Sequence, residues 1–282
     1  MKSAIWISNS TTLRTSKLTL DNDNVYIDSS IEYDKKTSTE WSDIIFNKSS
    51  LVKSGSYLAL DFDGVCSNNI HLVELAEHIG QKKTAEEIST IHEREKSEKK
   101  VEETIKNLGH FCKGLPYYAF QQIALTTEIR PSIIQIINEA RKMGIPIAII
   151  TNGIAEFVKI CLAGKNINVD QIWGTQLGFK DNICTGEIYG SMAKVNSKGT
   201  IINALCSLFG AKPIVIGNGM NDVEMIKNAF EKDGYSFLLR KQDEAAEEIR
   251  SFCSPSPELI NPENNFHNRV IEILKVYSSN SP

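Results

Sequence analysis

Hydrophobic residues in this chain form short unbroken runs, which alternate with longer segments in which apolar residues recur every three or four positions. Short runs bounded by glycine and polar residues are typical of strands buried on both faces of a parallel sheet. Apolar residues at spacings of three and four form one face of an amphipathic helix. The alternation therefore predicts an α/β fold built on a doubly wound, mainly parallel sheet.

Four apolar runs are the predicted core strands, at residues 57–60, 146–150, 213–216 and 235–239. The predicted helices lie at 72–80, 131–143, 155–163, 198–209, 223–226 and near 270–274. Residues 167–189 carry turn signals at 180–182 and 185–186, which predicts a loop-rich region. The stretch 254–265 is rich in Pro, Ser and Asn, and it is predicted to be a loop before the last helix.

Two regions stand apart from this alternation. Residues 67–129 show helical spacing with a long charged stretch, and they are predicted to form a helical cap inserted into an α/β core made of 54–66 and 130–282. Residues 1–53 are rich in Ser, Thr, Asn and Asp. Two short apolar stretches on either side of 21–24 predict a small hairpin, although a segment without fixed structure fits the composition equally well. The role of this extension stays open.

The composition is that of an ordinary globular protein, with 282 residues, 41% apolar and 23% charged residues. A net charge of −4 gives no reason to expect a nucleic acid or a membrane surface as partner. Six dispersed cysteines without a CxxC pair favour reduced thiols in a cytoplasmic protein. The start of the chain turns polar at once, unlike a signal peptide, and no apolar run approaches the roughly 20 residues of a membrane span. The oligomeric state stays open.

Polar residues follow three of the predicted strands, and a lysine begins a helix between the second and the third. These residues are Asp61, Asp63, Thr151, Asn152, Gly153, Lys198, Asn218 and Asp222. Because ligands of open α/β sheets bind at the carboxyl ends of the strands, we expect these groups to converge. Carboxylates bind Mg²⁺, and a lysine, a hydroxyl and backbone N–H groups bind phosphate oxygens. The pattern therefore predicts phosphoryl transfer.

The order of these motifs resembles the haloacid dehalogenase superfamily of phosphatases, and within it the phosphoserine-phosphatase-like branch. The resemblance covers roughly residues 55 to 250. It is carried by Asp61-Phe62-Asp63 with Asn68-Asn69, by Lys113-Gly114-Leu115-Pro116, by Arg130-Pro131, by Asn196-Ser197-Lys198-Gly199, and by the run from Gly217-Asn218-Gly219-Met220-Asn221-Asp222 to Met225. Each motif is weak alone, but their order at predicted strand ends is specific.

The resemblance implies a role for each catalytic residue. Asp61 would be the nucleophile that accepts the phosphoryl group as an aspartyl-phosphate. Asp63 would be the general acid and base, and its backbone carbonyl would bind the metal. Lys198 would neutralise the nucleophile and the transferring group. The implied phosphate-binding residues are Thr151, Asn152 and Gly153, the implied metal ligands are Asp61, Asp63, Asn218 and Asp222, and the implied cofactor is Mg²⁺.

Each of these residues also has an ordinary structural explanation. Thr151 fits as a β-branched strand residue, Lys198 as a solvated lysine at a helix start, and Asp222 as a helix N-cap. The five histidines form no spaced cluster and are assigned no role, and Cys66 is expected to serve packing. The order of the motifs, more than any single residue, favours the catalytic interpretation.

The chain departs from the family pattern in three places. Asn218 stands where most relatives have an acidic metal ligand, so its uncharged amide oxygen predicts weaker Mg²⁺ binding. Ile70 and Leu108 stand where groups that pair with the ammonium and carboxylate of phosphoserine are expected. We therefore predict a Mg²⁺-dependent phosphatase acting on a small phosphorylated metabolite other than phosphoserine. The alternatives are a catalytically silent binding or regulatory protein and a phosphotransferase.

Overall fold

The computed structural model describes residues 3–7, 16–21, 24–28, 55–78, 80, 83, 86, 107–189 and 197–279. The strands are β1 (Ser3–Ile7), β2 (Ser16–Asp21), β3 (Asn24–Asp28), β4 (Ser56–Leu60), β5 (Ile147–Ile154), β6 (Gln171–Lys180), β7 (Ile183–Tyr189), β8 (Lys212–Gly217), β9 (Tyr235–Leu239) and β10 (Glu258–Ile260). The helices are α1 (His71–His78), α2 (Tyr117–Thr126), α3 (Pro131–Lys142), α4 (Ala155–Gly164), α5 (Ser197–Phe209), α6 (Val223–Glu231), α7 (Glu244–Ser251) and α8 (His267–Ser279).

Seven strands form one sheet in the order β10-β9-β8-β4-β5-β6-β7. Strands β10 to β6 pair in parallel, and only β6 and β7 pair antiparallel. Every residue of the central strand β4 is buried, which explains why its sequence is an unbroken apolar run. The predicted doubly wound, mainly parallel α/β sheet is confirmed.

The four predicted core strands are present, as are the predicted helices α1, α3, α4, α5, α6 and α8. Helix α3 begins at Pro131, which occupies the first helical position, where the missing N–H of proline costs no hydrogen bond. Strands β1, β2 and β3 form a separate three-stranded sheet, and β2 and β3 are the expected hairpin, closed by the pair Asp21 and Asn24. Strand β1 was not expected from the sequence.

The prediction of a loop-rich region at 167–189 is wrong, because these residues form the β6–β7 hairpin. Its turn residues Asp181 and Asn182 have φ angles of 52° and 62°, so the turn signal at 180–182 is confirmed. The signal at 185–186 lies within β7 and not at a turn between strands. Strand β6 lies beside β5 and buries Gln171, Thr175 and Gln176. These polar residues interrupt the apolar pattern that marks the other strands, and only pairing with β5 makes the segment a strand.

The stretch 254–265 was also predicted to be a loop, but it contains β10, which extends the sheet by pairing with β9. Helix α7, which precedes it, was not predicted. Asp243, the residue before this helix, is its N-cap. The Asp243 carboxylate accepts a hydrogen bond from Ala246 N at 2.7 Å. The final helix α8 lies where the apolar spacing predicts it.

The helical region between β4 and α3 packs on the sheet. Leu75 of α1 and Phe120 of α2 belong to the same apolar cluster as Leu60 and Ile149 of the strands. Residues 107–112 form a further helical segment. The charged stretch 86–103, predicted to be a solvated helix, lies outside the described residues except for residue 86. All six cysteines are free and buried, including Cys66, in agreement with a packing role.

Candidate active site

Three neighbouring strands end at the same edge of the sheet, and their last residues bring the predicted site together. Leu60 of β4 pairs with Ile149 of β5 and with Ile216 of β8. The next residue, Asp61, donates its backbone N–H to Ile216 O at 3.0 Å. Thr151 lies two residues beyond Ile149, on the strand that flanks Asp61. The expected convergence of strand ends is therefore present.

A buried lysine joins two aspartates at the centre of this edge. Lys198 Nζ lies 2.7 Å from Asp61 Oδ1 and 2.6 Å from Asp222 Oδ1, and these side chains are 1%, 4% and 0% exposed. Burial alone would lower the pKa of Lys198, but attraction to Asp222 and Asp61 outweighs it and raises the pKa. The interpretation of Lys198 as a solvated lysine at a helix start is wrong, since its ammonium group is a buried cation.

Asp222 supports both Lys198 and the loop after β8. While Oδ1 contacts Lys198, Oδ2 accepts hydrogen bonds from Asn218 N at 2.8 Å and Gly219 N at 3.0 Å. Asp222 stands at the N-cap position of α6, which begins at the next residue, but its side chain makes no capping hydrogen bond. The interpretation of Asp222 as a helix cap therefore does not explain its side chain. Both carboxylate oxygens are thus engaged within the protein.

The site carries an excess of negative charge. Asp61 and Asp222 share the single ammonium of Lys198, and Asp63 contacts His71. With all three carboxylates ionised and His71 neutral, these four side chains would carry a net charge of −2. Burial, followed by repulsion from Asp222, raises the pKa of Asp61 well above that of an exposed aspartate, although Lys198 opposes the shift. A further cation would favour ionised Asp61, because opposite charge lowers the pKa of a carboxylate.

The Asn218 side chain faces two oxygen atoms that such a cation could bind. The amide atom nearest to them lies 3.2 Å from Asp63 O and 3.3 Å from Asp61 Oδ2. If this atom is nitrogen, it donates to both; if it is oxygen, three oxygen atoms face one another, and a shared cation satisfies them all. Gly64, with a φ of 78°, makes room for Asn218, since a Cβ there would lie 2.0 Å from the other polar atom of the Asn218 amide group.

These atoms fit Mg²⁺, which prefers oxygen ligands. Among the described residues, no three His, Cys, Asp or Glu side chains form a metal-binding group. A metal at this edge would therefore rely on the Asp61 carboxylate together with the Asp63 carbonyl and the Asn218 amide oxygen. The predicted ligand role of Asp222 stays a prediction, since its oxygens already accept hydrogen bonds from Lys198 and the loop.

The last four residues of β5 depart from its regular pairing with β6, and they form a tight loop next to Asp63. The buried Thr151 accepts a hydrogen bond at Oγ1 from Gly153 N at 3.0 Å, which leaves the hydroxyl proton of Thr151 available to donate. A Cβ on Gly153 would lie 2.0 Å from His71 Cε1 and 3.1 Å from Asp63 Oδ2. Only glycine allows the loop to approach Asp63 this closely.

Asn152 is held by polar residues on three sides. Its Oδ1 accepts a hydrogen bond from Asn221 Nδ2 at 3.4 Å, and its Nδ2 donates to Ser197 Oγ at 3.5 Å. Its backbone carbonyl accepts a hydrogen bond from Thr175 Oγ1 at 2.7 Å. Thr175 had no signal in the sequence, because its contribution depends on β6 lying beside β5.

His71 is the main site residue that the sequence did not reveal. Its Nδ1 lies 2.7 Å from Asp63 Oδ1, and its Nε2 accepts a hydrogen bond from Ile154 N at 2.9 Å. The sequence analysis assigned the histidines no role, whereas the structure places His71 in contact with Asp63. No spacing could have shown this contact, and the one local signal is that His71 follows the Asn68-Asn69 pair of the first motif.

The connections between the helical region and the sheet lie side by side. Arg130 N donates to Cys66 O at 2.9 Å. Glu74 of α1 accepts hydrogen bonds from both connections, from Asn69 Nδ2 at 2.6 Å and from Thr127 Oγ1 at 2.6 Å. The carboxylate of Glu74 thus joins the chain leaving the sheet to the chain that returns.

Leu108 and Ile70, the two positions expected to bind the charged groups of an amino-acid substrate, carry no charge. Leu108 is 6% exposed and lies in the main apolar cluster, and Ile70 packs against that cluster. The side chain of Leu108 is therefore engaged in packing.

Comparison with known proteins agrees with the fold. The sequence model of the haloacid dehalogenase-like hydrolases matches residues 56–229. The phosphoserine phosphatase of Methanocaldococcus jannaschii is 23% identical over 182 residues, which cover 63% of this chain and 83% of that protein. The phosphoserine phosphatase of Campylobacter jejuni subsp. doylei is 25% identical over 153 residues, which cover 52% and 73%. 

A solved structure described as a phospho-aspartyl intermediate analogue of phosphoserine phosphatase superimposes with a TM-score of 0.64 at 19% identity, covering 77% of this chain and 98% of that one. At this identity the superposition supports the fold.

Within the described part of the chain, no helix has the length and apolar character needed to cross a membrane.

Proposed function

The chain belongs to the haloacid dehalogenase-like hydrolase family, and from that premise we propose that it is a Mg²⁺-dependent phosphatase of a small phosphomonoester. One observation carries this proposal: Lys198 holds Asp61 at the strand end, 2.7 Å from its ammonium group, next to two further oxygen atoms that suit a metal. A buried carboxylate beside a cation is suited to attack phosphorus, because the cation favours the ionised form of the carboxylate and attracts the phosphate.

In the proposed first step, a carboxylate oxygen of Asp61 attacks the phosphorus and the bond to the leaving oxygen breaks. Asp63 gives a proton to that oxygen, so the alcohol leaves neutral. In the second step, water attacks the phosphorus of the aspartyl-phosphate, the bond between phosphorus and the Asp61 oxygen breaks, and Asp63 takes a proton from the water. Inorganic phosphate leaves, and both aspartates return to their starting states.

The surrounding residues bind and neutralise the phosphoryl group. Lys198 offsets its charge, and the Thr151 hydroxyl donates to one of its oxygens along with backbone N–H groups of 152–153. Asp61, the Asp63 carbonyl and Asn218 would hold Mg²⁺, which when bound supplies positive charge next to the nucleophile. 

We further propose that residues 67–129 act as a cap over a core made of 54–66 and 130–282. The support is a set of backbone hydrogen bonds between the helical region and the β6–β7 hairpin, which follows the core strand β5. Gly114 N donates to Cys184 O at 2.8 Å, Cys184 N donates to Leu115 O at 2.8 Å, and Tyr117 N donates to Asn182 O at 2.7 Å. A cap of this kind would exclude water from the reacting group.

Asn218 favours a second candidate function, a ligand-binding protein with little or no turnover. With its nitrogen turned inward, the amide would donate to Asp61 Oδ2 and Asp63 O and so occupy the oxygens that a metal needs. The protein would then hold a phosphorylated ligand without efficient hydrolysis. 

A panel of phosphorylated metabolites, assayed with Mg²⁺ and with a chelator, tests the proposed function. We expect release of inorganic phosphate from at least one sugar, nucleotide or alcohol phosphate, and loss of that activity in the chelator. Binding of phosphorylated ligands without phosphate release would instead support the second candidate. Transfer of the phosphoryl group to an added alcohol in preference to water would identify a phosphotransferase.

The same panel tests substrate choice. We predict that phosphoserine is not the best substrate, because Ile70 and Leu108 cannot pair with its ammonium or its carboxylate. Burying either charge without a partner costs several kcal/mol, which outweighs the phosphate contacts that all substrates share. Steady-state kinetics should give a higher kcat/KM for a less charged leaving group. If phosphoserine had the highest kcat/KM of the panel, the prediction would be refuted. The ammonium and carboxylate of phosphoserine would then have to pair with other residues of the cap.

Replacing Asn218 by Asp should tighten Mg²⁺ binding. A charged ligand in place of the amide should lower the Kd by about tenfold, or about 1.4 kcal/mol. It should also lower the melting temperature without metal, because the new carboxylate faces Asp61 Oδ2 and Asp63 O. Titration calorimetry with MgCl₂ measures the Kd directly. Asn221→Asp is the matched control, since it adds the same charge to the same loop outside these oxygens; equal tightening in both variants would contradict a ligand role for residue 218.

A further inference from the structure

We propose that His71 is a positioning residue that aims Asp63 for proton transfer and couples it to the phosphate-binding loop. The proposal rests on the proposed function in one respect, namely that Asp63 is the general acid and base. The structural observation behind it is independent of that role. A single buried imidazole contacts Asp63 with one nitrogen and the backbone after Gly153 with the other.

One oxygen of Asp63 is fixed by His71, and the other is left for chemistry. Oδ1 contacts His71 Nδ1 at 2.7 Å and also accepts a hydrogen bond from the His71 backbone N–H at 3.1 Å, at the start of α1. Oδ2 has no hydrogen-bond partner within the described part of the chain. It lies 3.1 Å from where a Cβ of Gly153 would stand, so it faces the loop that would bind phosphate.

The hydrogen bond from Ile154 decides which nitrogen of the ring carries the proton. Because Ile154 N–H donates to Nε2 at 2.9 Å, Nε2 must offer a lone pair. The proton of the neutral ring is then on Nδ1, where it donates to Asp63 Oδ1. His71 therefore gives Asp63 a directed hydrogen bond, and its orientation depends on the loop at Ile154.

Packing holds the ring in this orientation. His71 is 1% exposed and stacks on Phe157 with ring centroids 4.6 Å apart and planes at 27°. Phe62 meets it edge-on with centroids 6.1 Å apart. On the remaining side, Gly153 leaves no space for a Cβ. With the ring fixed, the Asp63 carboxylate has one preferred orientation.

This arrangement matters most when the leaving group needs a proton. An alkyl alkoxide is a poor leaving group, so an alkyl phosphate depends on a proton from Asp63 as the bond breaks. A p-nitrophenolate leaves readily without one. A misplacement of about 1 Å can cost about 10²-fold in rate. Loss of the His71 hydrogen bond should therefore slow an alkyl phosphate far more than p-nitrophenyl phosphate.

Three variants separate positioning from packing. In His71→Asn the side-chain nitrogen stands where Nδ1 stands, so the hydrogen bond to Asp63 can form. In His71→Gln the nitrogen reaches towards the position of Nε2 instead, and His71→Phe keeps a ring without either nitrogen. We expect kcat/KM for the best alkyl phosphate to fall about 10²-fold in the Phe and Gln variants and less than tenfold in the Asn variant. For p-nitrophenyl phosphate each loss should stay below about tenfold.

Equal losses on both substrates, or equal rescue by Asn and Gln, would overturn the proposal in favour of packing alone. If the Phe variant does not fold, the comparison of Asn with Gln still decides, with circular dichroism confirming that both are folded. Failure of the proposed function is a different result, namely no phosphate release by the unchanged protein from either substrate.

The geometry can also be tested without turnover. In a ¹⁵N-histidine NMR spectrum, with the His71 signals identified by their loss in His71→Asn, Nδ1 should be protonated and Nε2 unprotonated. Asp63→Ala should then shift the Nδ1 proton resonance of His71, because its acceptor is gone. A proton on Nε2, or no response to Asp63→Ala, would overturn the proposal whatever the activity is.

Discussion

Asp61→Asn is expected to reduce kcat on the order of 10⁴-fold or more while the protein remains folded. An amide nitrogen or oxygen cannot form the aspartyl-phosphate, so the proposed covalent route is lost. The fold should tolerate the change, because burial and repulsion from Asp222 already disfavour the charged form of Asp61 and raise its pKa. Asparagine keeps the size of the side chain and removes that charge.

Two measurements check this expectation. Rapid quenching with a ³²P-labelled substrate should trap a phosphorylated intermediate in the unchanged protein and none in Asp61→Asn. The melting temperature should stay the same or rise. Asp181→Asn is a matched control, since Asp181 lies in the β6–β7 turn with a φ of 52°, which asparagine adopts equally well. Near-normal turnover in Asp61→Asn would show that the proposed nucleophile is wrong.

Lys198→Met is expected to cause the second largest effect, on both turnover and stability. Lys198 is proposed to stabilise the transferring group, and on that proposal its removal should cost about 10²- to 10³-fold in kcat. Breaking a buried ion pair leaves uncompensated charge, so the free energy of unfolding should fall by about 3–5 kcal/mol at pH 8. The loss should be large because Lys198 is the shared partner of Asp61 and Asp222, at 2.7 and 2.6 Å.

The stability loss should shrink as the pH falls. In the unchanged protein Lys198 already opposes the upward shift of the Asp61 pKa; without it, the folded-state pKa rises further above the unfolded value. Between those two values the folded state binds more protons than the unfolded state, so stability decreases as the pH rises through this range and recovers as it falls. Urea unfolding at pH 5.5 and pH 8, with a chelator present, measures the difference.

Lys227→Met provides the control for Lys198→Met. Lys227 Nζ lies 3.0 Å from Glu224 Oε1, but these side chains are 32% and 37% exposed. A surface pair of this kind contributes about 0–1 kcal/mol. Similar stability losses in the two lysine variants would contradict the assignment of Lys198 as a buried cation essential to the site.

The sequence alone was sufficient to predict the sheet and most of the positions where the strands end. Strands β4, β8 and β9 are buried almost throughout, so their residues are nearly all apolar, and their runs are visible without any neighbour. The residues at the carboxyl ends of β4, β5 and β8 could be predicted to meet, because parallel strands place these ends at one edge of the sheet. The phosphoserine-phosphatase-like resemblance came from the same local motifs.

Elements whose strand or helix state depends on a neighbour were missed. Strand β6 includes Gln171, Thr175 and Gln176, and its apolar pattern is too irregular to indicate a strand. Pairing with β5 on one side and β7 on the other satisfies its backbone groups and buries it. The three-residue strand β10 has no pattern of its own and exists through its pairing with β9.

By itself, the sequence predicted a set of site residues, because they are local to strand ends and helix starts, but it did not reveal His71. The predicted residues are Asp61, Asp63, Thr151, Lys198, Asn218 and Asp222. Only the tertiary structure decided their contacts. The hydrogen bond from Ile154 to His71 joins residues 83 positions apart, and Lys198 meets Asp222 over 24 positions. The periodicity of apolar residues shows which face of a helix or strand is buried. A directed contact between two elements depends on how these elements pack, and the pattern along one segment carries no information about their packing.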